Sequence, residues 1–101
     1  MNIYRGDTWS QTVTFDNFTL TTGDKVKIGV KRTIGIPDYT LFQEIGISDT
    51  AATEITFTFS ADETAKITPG RYWFEIEITK SGEVSTVLQE QIEITGDVID
   101  G

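Results

Sequence analysis

The sequence contains no cysteine and no histidine, and the two absences exclude several classes of chemistry. Without cysteine the chain can form no disulfide and offers neither a thiolate metal ligand nor a thiol nucleophile. Without histidine it lacks the commonest metal ligand and the side chain that titrates nearest neutrality. Catalytic triads built on histidine, and zinc sites with histidine ligands, are therefore impossible here.

Basic residues and long apolar runs are also scarce. Eight lysines and arginines stand against 16 acidic residues, which gives a formal net charge of −8 at pH 7. Because an acidic surface repels phosphate backbones, we expect no nucleic-acid partner. No apolar stretch approaches the ~20 residues that span a membrane. The N-terminal segment also lacks the apolar run of a signal peptide, so we expect a protein kept in the cytosol after synthesis.

What the sequence does have is alternation of apolar and polar residues, the period of a half-buried β-strand. Val26, Ile28 and Val30 alternate with polar or small residues, and the segment 71–79 alternates in the same way. Turn residues separate such segments. The alternation predicts strands over residues 9–15, 25–31, 41–47, 54–59, 71–79, 84–88 and 92–94. A length of 101 residues suits a single domain over 1–101, with residues 96–101 as a flexible tail.

One short helical turn is predicted near residues 61–66. Ser60 and Glu63 have the spacing of a capping box, in which each side chain accepts the backbone N–H of the other residue. Pro69 and Gly70 then form a turn, and Tyr72 enters the next strand in the manner of a tyrosine corner. The fold class that these elements predict is all-β, an immunoglobulin-like antiparallel β-sandwich of about seven strands.

Two segments leave their orientation open. The strand 41–47 has Phe42 on one side and several aliphatic residues on the other, so its inward face is ambiguous. The loop 33–40 contains Ile34, Ile36 and Tyr39, which either fold back on the core or form a contact surface.

The candidate partner-contact residues are basic or aromatic. Half of the eight positive charges lie in one short segment, at Lys25, Lys27, Lys31 and Arg32. Lysines that alternate with apolar residues indicate either a solvated face over a core or a binding stripe. Trp73 is out of phase with the core residues of its strand, so it is either half covered by a neighbouring strand or a contact for a partner.

The order of turns and strand starts resembles a known group of proteins. The residues that carry the resemblance are segments 5–8, 20–28, 60–65, 67–76, 81–88 and 92–95. Together they are similar to small immunoglobulin-like structural proteins of tailed phages and prophages, and to the N-terminal domain of the phage baseplate upper protein family. The resemblance implies a domain that docks on a virion, with other virion structural proteins or further copies of itself as partners. It implies a location in the host bacterial cytoplasm during synthesis and in the virion after assembly.

We therefore expect a non-enzymatic docking component of a virion, with no catalytic residue, metal, cofactor or small-molecule substrate. One alternative is a carbohydrate-binding module in which Trp9, Tyr39 and Trp73 are stacking platforms. A further alternative is an acid-catalysed hydrolase that uses Glu75 and Glu77, which are ~7 Å apart on one strand face at a rise of ~3.3 Å per residue.

Overall fold

The computed structural model describes residues 2–16, 19–35, 38–48 and 51–96, and strands dominate this part of the chain. The predicted all-β class is confirmed. Among the described residues there is one short helix, α1 (Ala61–Ala65), which precedes the last two strands. The strands are β1 (Asn2–Tyr4), β2 (Trp9–Thr14), β3 (Lys25–Lys31), β4 (Leu41–Gly46), β5 (Glu54–Phe59), β6 (Gly70–Lys80) and β7 (Glu83–Thr95).

The strands form two sheets. The larger sheet has the order β1-β7-β6-β3-β4 and is mixed, because β1 runs parallel to β7 while its other neighbours are antiparallel. The smaller sheet consists of β2 and β5, which pair antiparallel from Trp9↔Phe59 to Thr14↔Glu54. The chain therefore moves between the sheets several times, first at the corner between β1 and β2.

The two sheets share one hydrophobic core among the described residues. Trp9 of the smaller sheet packs against Phe74 of the larger one, with ring centroids 5.2 Å apart. The apolar faces of β3, β5 and β6 are inward, and Val26, Ile28 and Val30 are completely buried. Leu41 is buried and Ile45 packs on the core, so the ambiguous strand turns its aliphatic face inward and leaves Phe42 exposed.

Three features of the strands differ from the predictions. The predicted fold is antiparallel throughout, whereas β1 pairs parallel with β7 and the larger sheet is mixed. The strand β1 was not predicted, because three residues are too few to show a period of two. The predicted strands 84–88 and 92–94 are parts of one strand, β7. Polar residues at 89–91 hid this continuity, since β7 lies near the sheet edge and is solvated along much of its length. The predicted flexible tail, apart from Gly96, lies outside the described residues.

The helical turn and its capping box are confirmed. Ser60 Oγ accepts the backbone N–H of Glu63 at 3.2 Å, and Glu63 Oε1 accepts that of Ser60 at 3.0 Å. The next helical residue, Thr64, is fully buried and ties α1 to the corner between β1 and β2. Its hydroxyl donates to the carbonyl of Asp7 at 2.7 Å and accepts the N–H of Gly6 at 3.0 Å.

The start of β6 has the hydrogen bond that defines a tyrosine corner. The hydroxyl of Tyr72 donates to the carbonyl oxygen of Thr68 at 2.6 Å, four residues upstream. The ring itself is buried in the core. The guanidinium of Arg32 donates to the same hydroxyl at 2.8 Å and lies 5.1 Å from the ring centroid, so it covers the corner from outside. The turn before β6 is thereby fixed to the strand that follows it.

Candidate docking surfaces

The outer face of the larger sheet holds the lysines that the sequence singled out. It is defined by the side chains of β3, β4 and β6 that point away from the core. Lys25 is exposed, and its ammonium lies 3.6 Å from Glu44 Oε1 on β4. Lys27 is opposite Glu44 in the register with β4 and opposite Glu77 in the register with β6. Neighbouring strands thus place acids beside the lysines, and the outer face has mixed charge.

Lys31 departs from the expectation of a solvated lysine. It is only 8% exposed, and its ammonium lies 3.5 Å from Glu75 Oε2 and 4.7 Å from the centroid of the Tyr39 ring. Glu75 is also buried and accepts a hydrogen bond from Gln89 Nε2 at 3.0 Å. The ammonium of Lys31 is therefore used inside the domain, where a buried charge requires such partners.

Tyr39 settles part of the open question about the loop 33–40. Its ring lies on the outer face directly over Gly29, where no Cβ is in the way, and packs against Phe42 at a centroid distance of 4.8 Å. The ring covers the sheet on the side opposite the core and shields Lys31. Ile34 is 41% exposed, whereas Ile36 lies outside the described residues.

The five candidate contact residues do not form one surface. Arg32 lies at the tyrosine corner, where it contacts Tyr72, and not on the outer face with the lysines. Trp73 is on the outer face between Lys31 of β3 and Gln91 of β7, and is half-buried. The sequence shows which of these residues are near one another along the chain, whereas their cross-strand neighbours come from other strands, 17 to 54 residues away in sequence.

Some residues suggested for the carbohydrate-binding and hydrolase alternatives are buried. Trp9 is in the core, so of the three suggested stacking platforms only the half-buried Tyr39 and Trp73 have any accessible ring surface. Glu75 is buried in its pair with Lys31 and its bond to Gln89, while Glu77 is half-buried opposite Lys27. The two carboxylates therefore have different environments.

A second surface, which the sequence did not reveal, is the open edge of β7. We use this name for residues 83–92 on the side away from β6. There β1 pairs only with residues 93–95, and no described strand lies beside residues 83–92. A β-bulge interrupts this edge at Val87, because Ile76 is opposite Leu88 while Glu77 is opposite Thr86. An edge strand can be identified only from the order of the strands in the sheet. That order depends on contacts between segments distant in sequence, so the sequence pattern did not reveal this edge.

A groove lies beside the open edge, on the core side of the hairpin that β6 and β7 form. It has a volume of about 370 Å³ and is lined by Ile78, Lys80, Ser81, Glu83, Ser85 and Val87. Both valines of this end of β7 are accessible, with Val84 61% and Val87 39% exposed. In the hairpin turn, Ser81 and Gly82 both have positive φ, as a two-residue turn of this kind requires.

The cation in the groove is already neutralised. The ammonium of Lys80 lies 3.2 Å from Asp24 Oδ2 and donates to the carbonyl of Thr19 at 2.8 Å. Asp24 Oδ2 also accepts the backbone N–H of Thr21 at 2.8 Å. The Thr21 N–H, followed by the bond and charge of Lys80, holds the pKa of Asp24 below its ordinary value although burial opposes the shift. The ammonium of Lys80 is therefore paired with Asp24 and not with an acid of β7.

The described residues include no group of three or more acids arranged to hold a metal ion. In the same part of the chain, no helix has the length and apolar character needed to span a membrane. No family model, curated protein or solved structure matches this chain.

Proposed function

We propose that this chain is a non-enzymatic docking domain of a tailed-phage or prophage virion, built as an immunoglobulin-like β-sandwich. It acts through protein–protein contacts in the baseplate, the tail or the head. The resemblance of its turns and strand starts to small phage structural proteins supports the virion setting. The open edge of β7 is the single observation that carries the docking role.

Two features support the immunoglobulin-like interpretation: the strand order of the two sheets and the tyrosine corner at Tyr72. The β6–β7 hairpin lies in one sheet with β3, while β2 and β5 pair in the other, an arrangement typical of these sandwiches. The bond from Tyr72 to Thr68 has the geometry and position of their tyrosine corner, at the start of the strand that follows the helical turn. Trp9 and Phe74 make the contact between sheets that a disulfide makes in antibody domains.

The docking role follows from the physical chemistry of an unpaired strand. Each residue on such an edge offers backbone N–H or C=O groups that a further strand can satisfy. Addition of a strand to an open edge is a recurrent form of protein recognition, in which the backbone provides affinity and the side chains provide specificity. The groove beside the edge of β7 supplies a place for such side chains.

The test is the presence of this chain in assembled particles. Particles from a lysate of the source strain would be separated on a density gradient, and each fraction probed with an antiserum raised against the purified domain. We expect the chain to sediment with tails or complete virions and to be located there by immunogold electron microscopy. A chain found only in fractions of free protein would contradict the virion role.

A further inference from the structure

We propose that the open edge of β7 binds an extended segment of another protein, with lysine or arginine at its two ends and small aliphatic residues between them. This inference rests on the proposed docking function and names the chemistry of its partner. Three observations carry it: the unpaired edge, the groove beside it and the charge of the strand.

The backbone of β7 is oriented for strand addition. The carbonyl of Thr95 accepts the N–H of Arg5 at 3.0 Å, so the backbone groups of Thr95 point to the side of β1. Because these groups alternate with a period of two along a strand, those of Gln91 and Gln89 point to the same side. No described strand lies beside these two residues, so within the described part of the chain no strand uses their N–H and C=O groups.

The charge of β7 selects the partner. The strand contains three glutamates, at positions 83, 90 and 93, and no lysine or arginine. Glu93 is opposite Arg71, whereas Glu90 is opposite Phe74 and Glu83 is opposite Lys80, whose ammonium is held by Asp24. Glu83 and Glu90, near the two ends of the open edge, therefore have no ion-pair partner among the residues that the structure describes.

A second copy of this chain is a poor occupant of the edge. Antiparallel pairing of β7 with itself would bring glutamates together without any basic residue, and like charges across a strand pair are destabilising. The bulge at Val87 further interrupts regular pairing with an identical strand. Charged residues and bulges are devices by which edge strands avoid self-association. Of the two, the charge is the feature that also favours a basic partner.

The spacing on the edge defines the partner more closely. Glu83 and Glu90 both lie opposite inward-facing positions of β6, so their side chains are on the same face of β7. Without the bulged residue they are six strand positions apart, which is ~20 Å at a rise of ~3.3 Å per residue. Between them lies the groove that Ile78, Ser85 and Val87 line. The complementary strand has basic residues six positions apart and small aliphatic residues at the two positions between them on the same face.

The probe is a fluorescent peptide of sequence Thr-Lys-Thr-Val-Thr-Val-Thr-Lys-Thr, which reads the same in both directions and so suits parallel and antiparallel addition. The control peptide has glutamate in place of both lysines. Binding to the full chain is measured by fluorescence anisotropy, and the contact is located by chemical-shift changes in amide spectra. We expect the lysine peptide to bind at least about tenfold more tightly than the glutamate peptide, with the largest shifts in residues 83–92.

Two variants test the two parts of the inference. Gln91→Pro removes one N–H that faces the open edge, and proline is tolerated where a strand N–H faces solvent. The double variant Glu83→Gln with Glu90→Gln removes the two acids. We expect each to weaken the lysine peptide about tenfold or more, a difference of ~1.4 kcal/mol. The matched control, Glu54→Gln with Asp62→Asn, changes the net charge equally at exposed positions elsewhere and leaves the affinity unchanged.

The outcomes separate this inference from the proposed function. Equal binding of the two peptides, or no binding of the lysine peptide, overturns the inference of a basic partner. If particle fractions still contain the chain, the virion role survives that result. Shifts confined to the outer face around Trp73, with no effect of Gln91→Pro, also overturn the inference. Unchanged amide spectra of the free variants establish that each remains folded.

Discussion

At the scale of single residues, the hydroxyl of Tyr72 makes two hydrogen bonds at the edge of the core. It donates to Thr68 and accepts from Arg32, and the ring beneath it is buried. We expect Tyr72→Phe to lower the free energy of unfolding by about 1–2 kcal/mol, because the Thr68 carbonyl loses its partner. Tyr4→Phe, at a position that is 43% exposed, is the matched control and is expected to change it by less than about 0.5 kcal/mol. Urea denaturation of both variants measures the difference, and equal losses would contradict a corner fixed by this bond.

Asp24 provides the residue-scale prediction for pH. Its pKa is lowered in the folded protein from the ordinary value of 3.8, chiefly by the N–H of Thr21 and then by Lys80. The ionised carboxylate therefore contributes stability that is fully present above pH 3.8 and is lost as the pH falls through the folded pKa below that value. We expect Asp24→Asn to be less stable than the wild type at pH 7, and the difference to shrink below about pH 4.

Thermal unfolding at a series of pH values checks this prediction for Asp24. The control is Asp16→Asn, which changes an exposed aspartate in the same part of the chain by the same chemistry. A stability difference between wild type and Asp24→Asn that stays constant down to pH 3 would show that the amide loses packing and not the charge interaction.

At the scale of elements, packing on the outer face depends on how Tyr39, from the loop before β4, fits over strand β3. Gly29 is buried under the ring of Tyr39, and a Cβ at this position would overlap two carbons of that ring. We expect Gly29→Ala to displace the ring and to lower the free energy of unfolding by about 1–3 kcal/mol, the usual cost of overpacking. In a Tyr39→Ala background the same substitution should be neutral or stabilising, since alanine is favoured over glycine in a strand by ~0.5–1 kcal/mol.

A double-mutant cycle of these two substitutions separates their contact from their individual effects. Additive losses would mean that the ring does not rest on Gly29 in solution. The fluorescence of Trp73, on the neighbouring strand, gives a second readout, because displacement of Tyr39 from Lys31 opens the same face to water.

The elements divide clearly into those that sequence patterns predict and those that they do not. The inward faces of β3, β5 and β6 follow from the period of two, and the capping box follows from the spacing of Ser60 and Glu63, because these signals are local. The strand β1 has three residues, and only its pairing with β7 makes it a strand. The burial of Lys31 and the open edge of β7 depend on which strands become neighbours, and that order arises from contacts between distant segments.

At the scale of the whole molecule, the charge predicts the behaviour of the isolated chain in solution. A net charge of −8 and an acidic open edge both oppose association of identical copies. We expect a monomer of 11.2 kDa by chromatography with light scattering at pH 7 and about 0.05 M salt, where the Debye length exceeds ~10 Å. Near the isoelectric point of about 4.3 the repulsion vanishes, and the unpaired edge should then mediate self-association.

The variant Gln91→Pro distinguishes the edge from a general loss of solubility at that pH. If copies associate through β7, the variant remains monomeric or associates more weakly near pH 4.3, because one edge N–H is gone and the proline ring obstructs an added strand. Association of wild type and variant to the same extent would assign the contact to another surface. A stable closed ring at pH 7 in low salt would contradict the charge argument itself, since the acidic edges would then have met without a basic partner.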